Sequence, residues 1–368
     1  MNRDWMNHNA GQYWWQAGRW SLLVLLAFEL TIRLFVIKTP ARVYEPDWGV
    51  VPVDGAYSVQ GTEGYGILRY FADGEVQTPY RDGRSIVVLG DSTTLAAQVN
   101  PDENFVSLTE SALRERGLMV DLHNLGRSAR IVADHVFLSS AVRRAFSPEI
   151  VVVQVSPDSF SLSYDTAAEN YFVEQDGELI LKHRQPATVE SLAARNRVAS
   201  SGLLDFFDFR LWFVLDGLER EHPGWFTNPV DAELGNANAL PPMSWDTMNE
   251  ERLLAFRGQV LAQVQKVRDA YPDSVIVFLV IPSPPRISPL DSQIAWDSPM
   301  DSLLAAMLEK IDSIHVVYTL SIFQKHYEKY QTLPRGSFNS AFNVGHLNPD
   351  GHRAVAQALT AALKEILR

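Results

Sequence analysis

Three separated segments of this chain carry the residue types needed for acyl chemistry. In SIVVLGDSTTLAAQV, residues 85–99, the apolar run Ile86 to Leu89 leads into Gly90-Asp91-Ser92, the pattern of a buried strand ending in a tight polar turn before a helix. Ser92 is then either a turn-capping hydroxyl or a nucleophile at the carboxyl end of a strand, where open α/β sheets place their chemistry. A serine hydroxyl is a weak nucleophile near neutral pH, so the second use needs a base within hydrogen-bond reach and donors for the developing oxyanion. NVGHLNPDGH, residues 343–352, offers His346 in the loop just before a final helix. LHNLGRSA, residues 122–129, ends a strand on Gly126, whose N–H is unobstructed by a side chain. VQVSPDSF, residues 153–160, ends the next on Ser156 and Asp158.

Other chemistries have little to stand on. The chain has no cysteine, which removes thiolate nucleophiles, Cys-ligated zinc and disulfides. It has no HExxH, carboxylate–histidine cluster or phosphate loop, and Gly64-Tyr65-Gly66 lacks a third glycine, so no metal or cofactor is expected. Asp91 reads as a turn-forming carboxylate, not a metal ligand. Nucleic acid is not an expected partner, because the net charge is −12 and no Lys/Arg-rich block is present.

The elements that must position these residues alternate. Strand 85–89, helix 103–116, strand 119–124, helix 131–146 and strand 150–155 imply an α/β fold, a doubly wound parallel sheet with helices on both faces, because parallel strands need crossovers. Residues 159–243 interrupt the rhythm with a hairpin turning at Asp176-Gly177, an aromatic stretch and a Pro/Asn-rich loop. The core resumes with helix 244–270, strand 274–281, helix 299–312 and strand 315–318. A final helix opens on Asn348 as N-cap and Pro349 in its first turn.

Two segments precede this core. Trp20 to Ile37 is about the length of a bilayer span, with Glu29 and Arg33 on one helix face where they can pair. It is expected as a single-pass anchor within a tail of residues 1–42, and charge counting gives no orientation. Residues 43–84, rich in Gly, Pro, Tyr and Asp, are expected as an accessory lead-in to a domain of residues 85–368.

Over roughly residues 85–368 the chain resembles the SGNH, or GDSL-type, hydrolases, whose layered architecture is the flavodoxin-like three-layer arrangement. The resemblance makes Ser92 the nucleophile, Gly126 an oxyanion N–H donor and His346 the base. It also implies a membrane-anchored, extracytoplasmic bacterial type acting on small acyl esters, O-acetyl groups of envelope or exported glycans among them. Two positions depart from the pattern. The family's Asp three residues before the histidine is Asn343 here, which implies a dyad-like site with an amide orienting the ring. The family's oxyanion Asn is missing from Val155-Ser156-Pro157-Asp158, which leaves the Ser156 hydroxyl as the replacement and Asp158 as a group that repels the oxyanion when ionised. One lost donor costs about 2.7 to 4 kcal/mol in the barrier. These departures give the alternative reading, a catalytically silent scaffold that binds a glycan or partner protein through the insertion. His352, at the start of the helix, is read as structural.

Overall fold

The computed structural model describes residues 3–71, 74–76, 82–160, 170–183, 189–207, 249–287, 294–296, 298–340 and 343–368. The Pro/Asn-rich loop 223–243 and most of the aromatic stretch of the insertion lie outside the described residues.

The N-terminal apolar stretch forms α1 (Arg3–Phe35). Among the described residues no helix is long and apolar enough to cross a membrane, and the expected single-pass anchor is not found there. The helix ends at Phe35, short of Ile37, and Arg19, Glu29 and Arg33 lie within it. Its last turns are docked on the protein. Ile32 is buried. Glu29 pairs with Arg33 at 2.6 Å and also accepts from Ser201 Oγ and from the backbone N–H groups of Gly202 and Leu203. Five consecutive residues, Leu22 to Leu26, stay more than half exposed.

Short antiparallel strands follow: β1 (Ile37–Lys38), β2 (Arg42–Glu45), β3 (Gly49–Pro52), β4 (Tyr57–Gln60) and β5 (Gly66–Arg69). β4 pairs with both β1 and β5, and β2 pairs with β3. The turn joining β4 to β5 contains Glu63.

Apart from Val120–Gly126, where Asp121, His123 and Asn124 interrupt it, the central sheet is built from unalternated apolar runs, the composition expected of parallel strands covered on both faces. β6 (Arg84–Gly90) leads to α2 (Ser92–Leu95) and α3 (Phe105–Arg114), then β7 (Val120–Gly126). The expected helix 131–146 is interrupted at Leu138 into α4 (Val132–Phe137) and α5 (Ser139–Phe146). β8 (Ile150–Val155) follows, then the β9 (Asn170–Gln175) and β10 (Glu178–His183) hairpin and α6 (Val189–Ala199). Helix Glu250–Ala270 leads to β11 (Val275–Val280). The two-residue strands β12 (Arg286–Ile287) and β13 (Ile294–Ala295) pair with each other before helix Pro299–Leu308 and β14 (His315–Tyr318). Helices Leu320–Tyr330 and Pro349–Ile366 complete the chain.

The order of the five-stranded sheet is β14-β11-β8-β6-β7, with every neighbouring pair parallel. Side chains alternate between two cores, as the strand period requires. Val87, Leu89, Val151, Val153 and Phe278 face one layer with α4, α5 and helix Glu250–Ala270. Ile86, Val88, Val152, Val277 and Leu279 face the other with α3 and the final helix. From β6 the chain runs to β7 on one flank and returns to β8 on the other, so the strand order reverses at β6. The carboxyl end of such a strand opens into a crevice, and Ser92 follows it directly.

Candidate active site

Asp91 starts the turn. It is the N-cap of α2, and its carboxylate accepts from Thr93 N at 2.7 Å, so it shapes the turn that presents Ser92. Gln154, buried on β8, ties the turn to the neighbouring strand: its Oε1 accepts from Asp91 N at 3.1 Å and from Thr94 Oγ1 at 3.2 Å. Gly90 is the residue that permits this approach, since a Cβ there would stand 2.1 Å from Thr94 Oγ1 and 2.7 Å from Gln154 Oε1. Gln154 was not singled out by the sequence, where it is one polar residue in an apolar strand.

His346 comes from the opposite end of the chain. Its Nε2 lies 2.9 Å from Ser92 Oγ, and its Nδ1 lies 2.8 Å from Glu63 Oε2. A carboxylate only accepts, so Nδ1 carries the ring proton and Nε2 presents its lone pair to the serine hydroxyl. Glu63 accepts a second bond from the His346 backbone N–H through Oε1. Partial burial pushes the Glu63 carboxyl up, but the bonds and charge of His346, helped by the Arg335 guanidinium, outweigh this and hold it below its ordinary value of 4.5. Glu63 is therefore an anion beside an imidazole whose other nitrogen faces an alcohol, the Ser–His–acid arrangement recognised by geometry and not by sequence order. The acid comes from the segment expected to be an accessory lead-in.

This corrects the role expected of Asn343. Its amide donates to Pro285 O at 2.6 Å, its buried Oδ1 has no partner among the described residues, and Glu63 holds the imidazole in its place. The backbone explains the displacement: Asn343 and Gly345 have φ of 58° and 85°, left-handed values that turn the chain between the two residues.

Gly126 also differs from expectation. Its N–H donates to Asn124 Oδ1 at 2.9 Å and is already engaged, so it is not a free oxyanion donor. The glycine is needed for packing, because a Cβ would stand 2.2 Å from Leu95 N. The N–H of Ser92, in the first turn of α2, has no intrahelical acceptor and is the backbone donor left beside the hydroxyl. Ser156 Oγ lies 3.3 Å from Ser159 Oγ, which also accepts from Ser156 N, so this hydroxyl is engaged within its own turn. Asp158 is in the same turn, and no hydrogen bond links it to Ser92 or His346 among the described residues. Burial of its carboxyl and the negative charge of Asp301 push its pKa up.

His352 is wholly buried, stacks on Phe105 at 5.9 Å, and its Nδ1 accepts from Phe105 N. Burial, with the charges of His346 and Arg335, pushes it down to about 3, so it is a neutral core residue.

No family model and no curated protein matches the chain. Solved structures similar to it include esterases. The esterase EstA from Pseudoalteromonas sp. shows 12% identity and a TM-score of 0.38 over 77% of this chain and 98% of that one. A lipolytic protein of the G-D-S-L family from Veillonella parvula shows 8% identity and a TM-score of 0.36, covering 77% of this chain and 99% of that one. The acetyl xylan esterase AlAXEase shows 13% identity and a TM-score of 0.39, covering 76% of this chain and 99% of that one.

Proposed function

We propose that the chain is a serine esterase of SGNH type that hydrolyses small acyl esters, with O-acetyl groups on envelope or exported glycans as its substrate class. The observation that carries this reading is the continuous line from Ser92 Oγ through both nitrogens of His346 to Glu63. Ser92 Oγ attacks the acyl carbonyl while His346 Nε2 takes the hydroxyl proton, and the oxyanion forms beside the Ser92 N–H. His346 then returns the proton to the departing alcohol, leaving the acyl group on Ser92. Water, deprotonated by the same nitrogen, attacks that ester and frees the acid. An acceptor alcohol in place of water gives acyl transfer. Glu63 fixes the reactive tautomer and balances the imidazolium in both halves.

The scaffold alternative drew its support from a missing acid and a missing oxyanion Asn; Glu63 supplies the acid, and the Ser92 N–H is the donor left for the oxyanion. The test uses the full-length chain with p-nitrophenyl acetate, wild type against Ser92→Ala, together with fluorophosphonate labelling of Ser92. Turnover and labelling that vanish in the variant support the esterase; equal background in both proteins with no labelling overturns it.

The reading also places the protein at a membrane surface, with the catalytic domain outside the cytoplasm. Support for the attachment is the exposed run Leu22 to Leu26, which covers every side of α1 because successive helical residues are about 100° apart, while the side of the membrane rests on the resemblance alone. Flotation of the full chain with lipid vesicles tests the attachment, and replacement of Leu22, Leu23, Leu25 and Leu26 by Ser is expected to abolish it.

A further inference from the structure

We infer that Asn339 is a positioning residue of the proposed triad, joining the turn that carries Glu63 to the segment that carries His346. The inference rests on the esterase reading and concerns a side chain outside the Ser–His–Glu line.

Glu63 lies between two residues whose backbones are held by one amide. Gly64 N donates to Asn339 Oδ1 at 2.6 Å, while Asn339 Nδ2 donates to Gly61 O at 2.8 Å and to Gly64 O at 2.9 Å. Both functions of the carboxamide are used, on either side of the acid. An aspartate would keep only the acceptor, and a serine could not reach all three groups. Asn339 is held by its own turn, where Ser337 N donates to Ser340 Oγ and Ser340 N donates to Ser337 O. That turn is in turn fastened to the base: Arg335 bridges to Leu347, Gly336 N donates to His346 O, and Arg335 Nη1 donates to Gly345 O. The Glu63 turn otherwise meets the body of the protein through Tyr65 N on Gln98 O and through the end of α1, where Gly61 N donates to Val36 O and Tyr65 Oη to Leu34 O. Those contacts fix the height of the turn. Among the described residues, the Asn339 bonds are the hydrogen bonds that connect its backbone to the segment that leads to the imidazole.

Asn339 is solvent-exposed, so its removal leaves the core intact. For Asn339→Ala in the full chain, kcat is expected to fall about tenfold with KM changed less than about twofold and the melting temperature unchanged. The acidic limb of the pH–rate profile should move to lower pH, because a loosened carboxylate favours the imidazolium less. On a Glu63→Gln background the same substitution should cost nothing more, since Asn339 acts through the carboxylate. Asn339→Asp, which keeps the bond from Gly64 N, should lose kcat in the same direction and serves if the alanine variant folds poorly.

Wild-type kcat and pH profile in these variants, or a loss that adds in full to that of Glu63→Gln, overturns the inference while leaving the esterase standing. A wild-type protein that neither turns over ester nor takes up fluorophosphonate overturns both.

Discussion

A Cβ on Gly345 would stand 2.1 Å from Oε1 of Glu63, so the backbone beside the imidazole and the carboxylate that steadies it are fitted to each other without room for a methyl group. The φ of Gly345 is 85°, which penalises any L side chain as well. Gly345→Ala should therefore displace Glu63. Its kcat is expected to fall about 10- to 100-fold, with Ser92 still labelled slowly by fluorophosphonate and the far-UV circular dichroism spectrum unchanged.

Glu63 and Asn343 make opposite predictions. Glu63→Gln replaces an obligate acceptor by a group that can donate to Nδ1 and so favours the wrong tautomer; kcat should drop about a thousandfold or more. Asn343→Ala removes a bond to Pro285 O and nothing from the imidazole, so kcat should stay within about twofold of wild type. Steady-state kinetics on the two variants decides between the acid found in the structure and the amide expected from the sequence.

Gln154 supports the nucleophile turn from the next strand. Gln154→Leu keeps the volume but leaves Asp91 N–H and Thr94 Oγ1 without their acceptor, which should lower stability by about 1 to 3 kcal/mol. Urea unfolding measures the loss, and kcat should fall with it as the Ser92 turn relaxes.

Acid should weaken the fold well before its carboxylates are protonated. Burial pushes His135 down to about 3, the charge of Arg130 adding to it, and His352 sits at about 3 as well. Both are depressed, so the unfolded chain takes up two protons below about 6.5 that the folded chain refuses until about 3. Stability is then full above pH 6.5 and falls as pH drops, by up to about 1.4 kcal/mol per pH unit for each histidine. Glu63, depressed for the opposite charge type, adds stability above its ordinary 4.5 that is lost only as pH falls further. Urea midpoints at pH 7 and pH 5 test this, and His135→Leu should remove about half of the difference.

The sequence carried the sheet clearly, because β6, β8 and β11 are apolar runs that only a doubly covered parallel strand explains. Ser92 and His346 were legible for a related reason: each sits where a regular element begins or ends, and such places can be counted along a chain. Glu63 could not be found that way. A carboxylate reaching a histidine Nδ1 needs only the right place in space, and the β4–β5 turn provides it far upstream, in a segment with no periodicity to mark it. Gly126 shows the reverse error. Its type was informative, but the demand for a missing side chain comes from Leu95 packed against it and not from a ligand. The break at Leu138 had no glycine or proline to announce it, and helix Leu320–Tyr330 went unread beside stronger strands.

The β4–β5 turn changes what a minimal working unit of this protein would be. A cut at residue 84, the natural place to trim from sequence, keeps the alcohol and the ring but discards the counter-ion they depend on. The shortest competent piece has to begin before β1, and anyone shortening the gene at residue 84 would discard the proposed acid together with the Glu75 partner of buried His123.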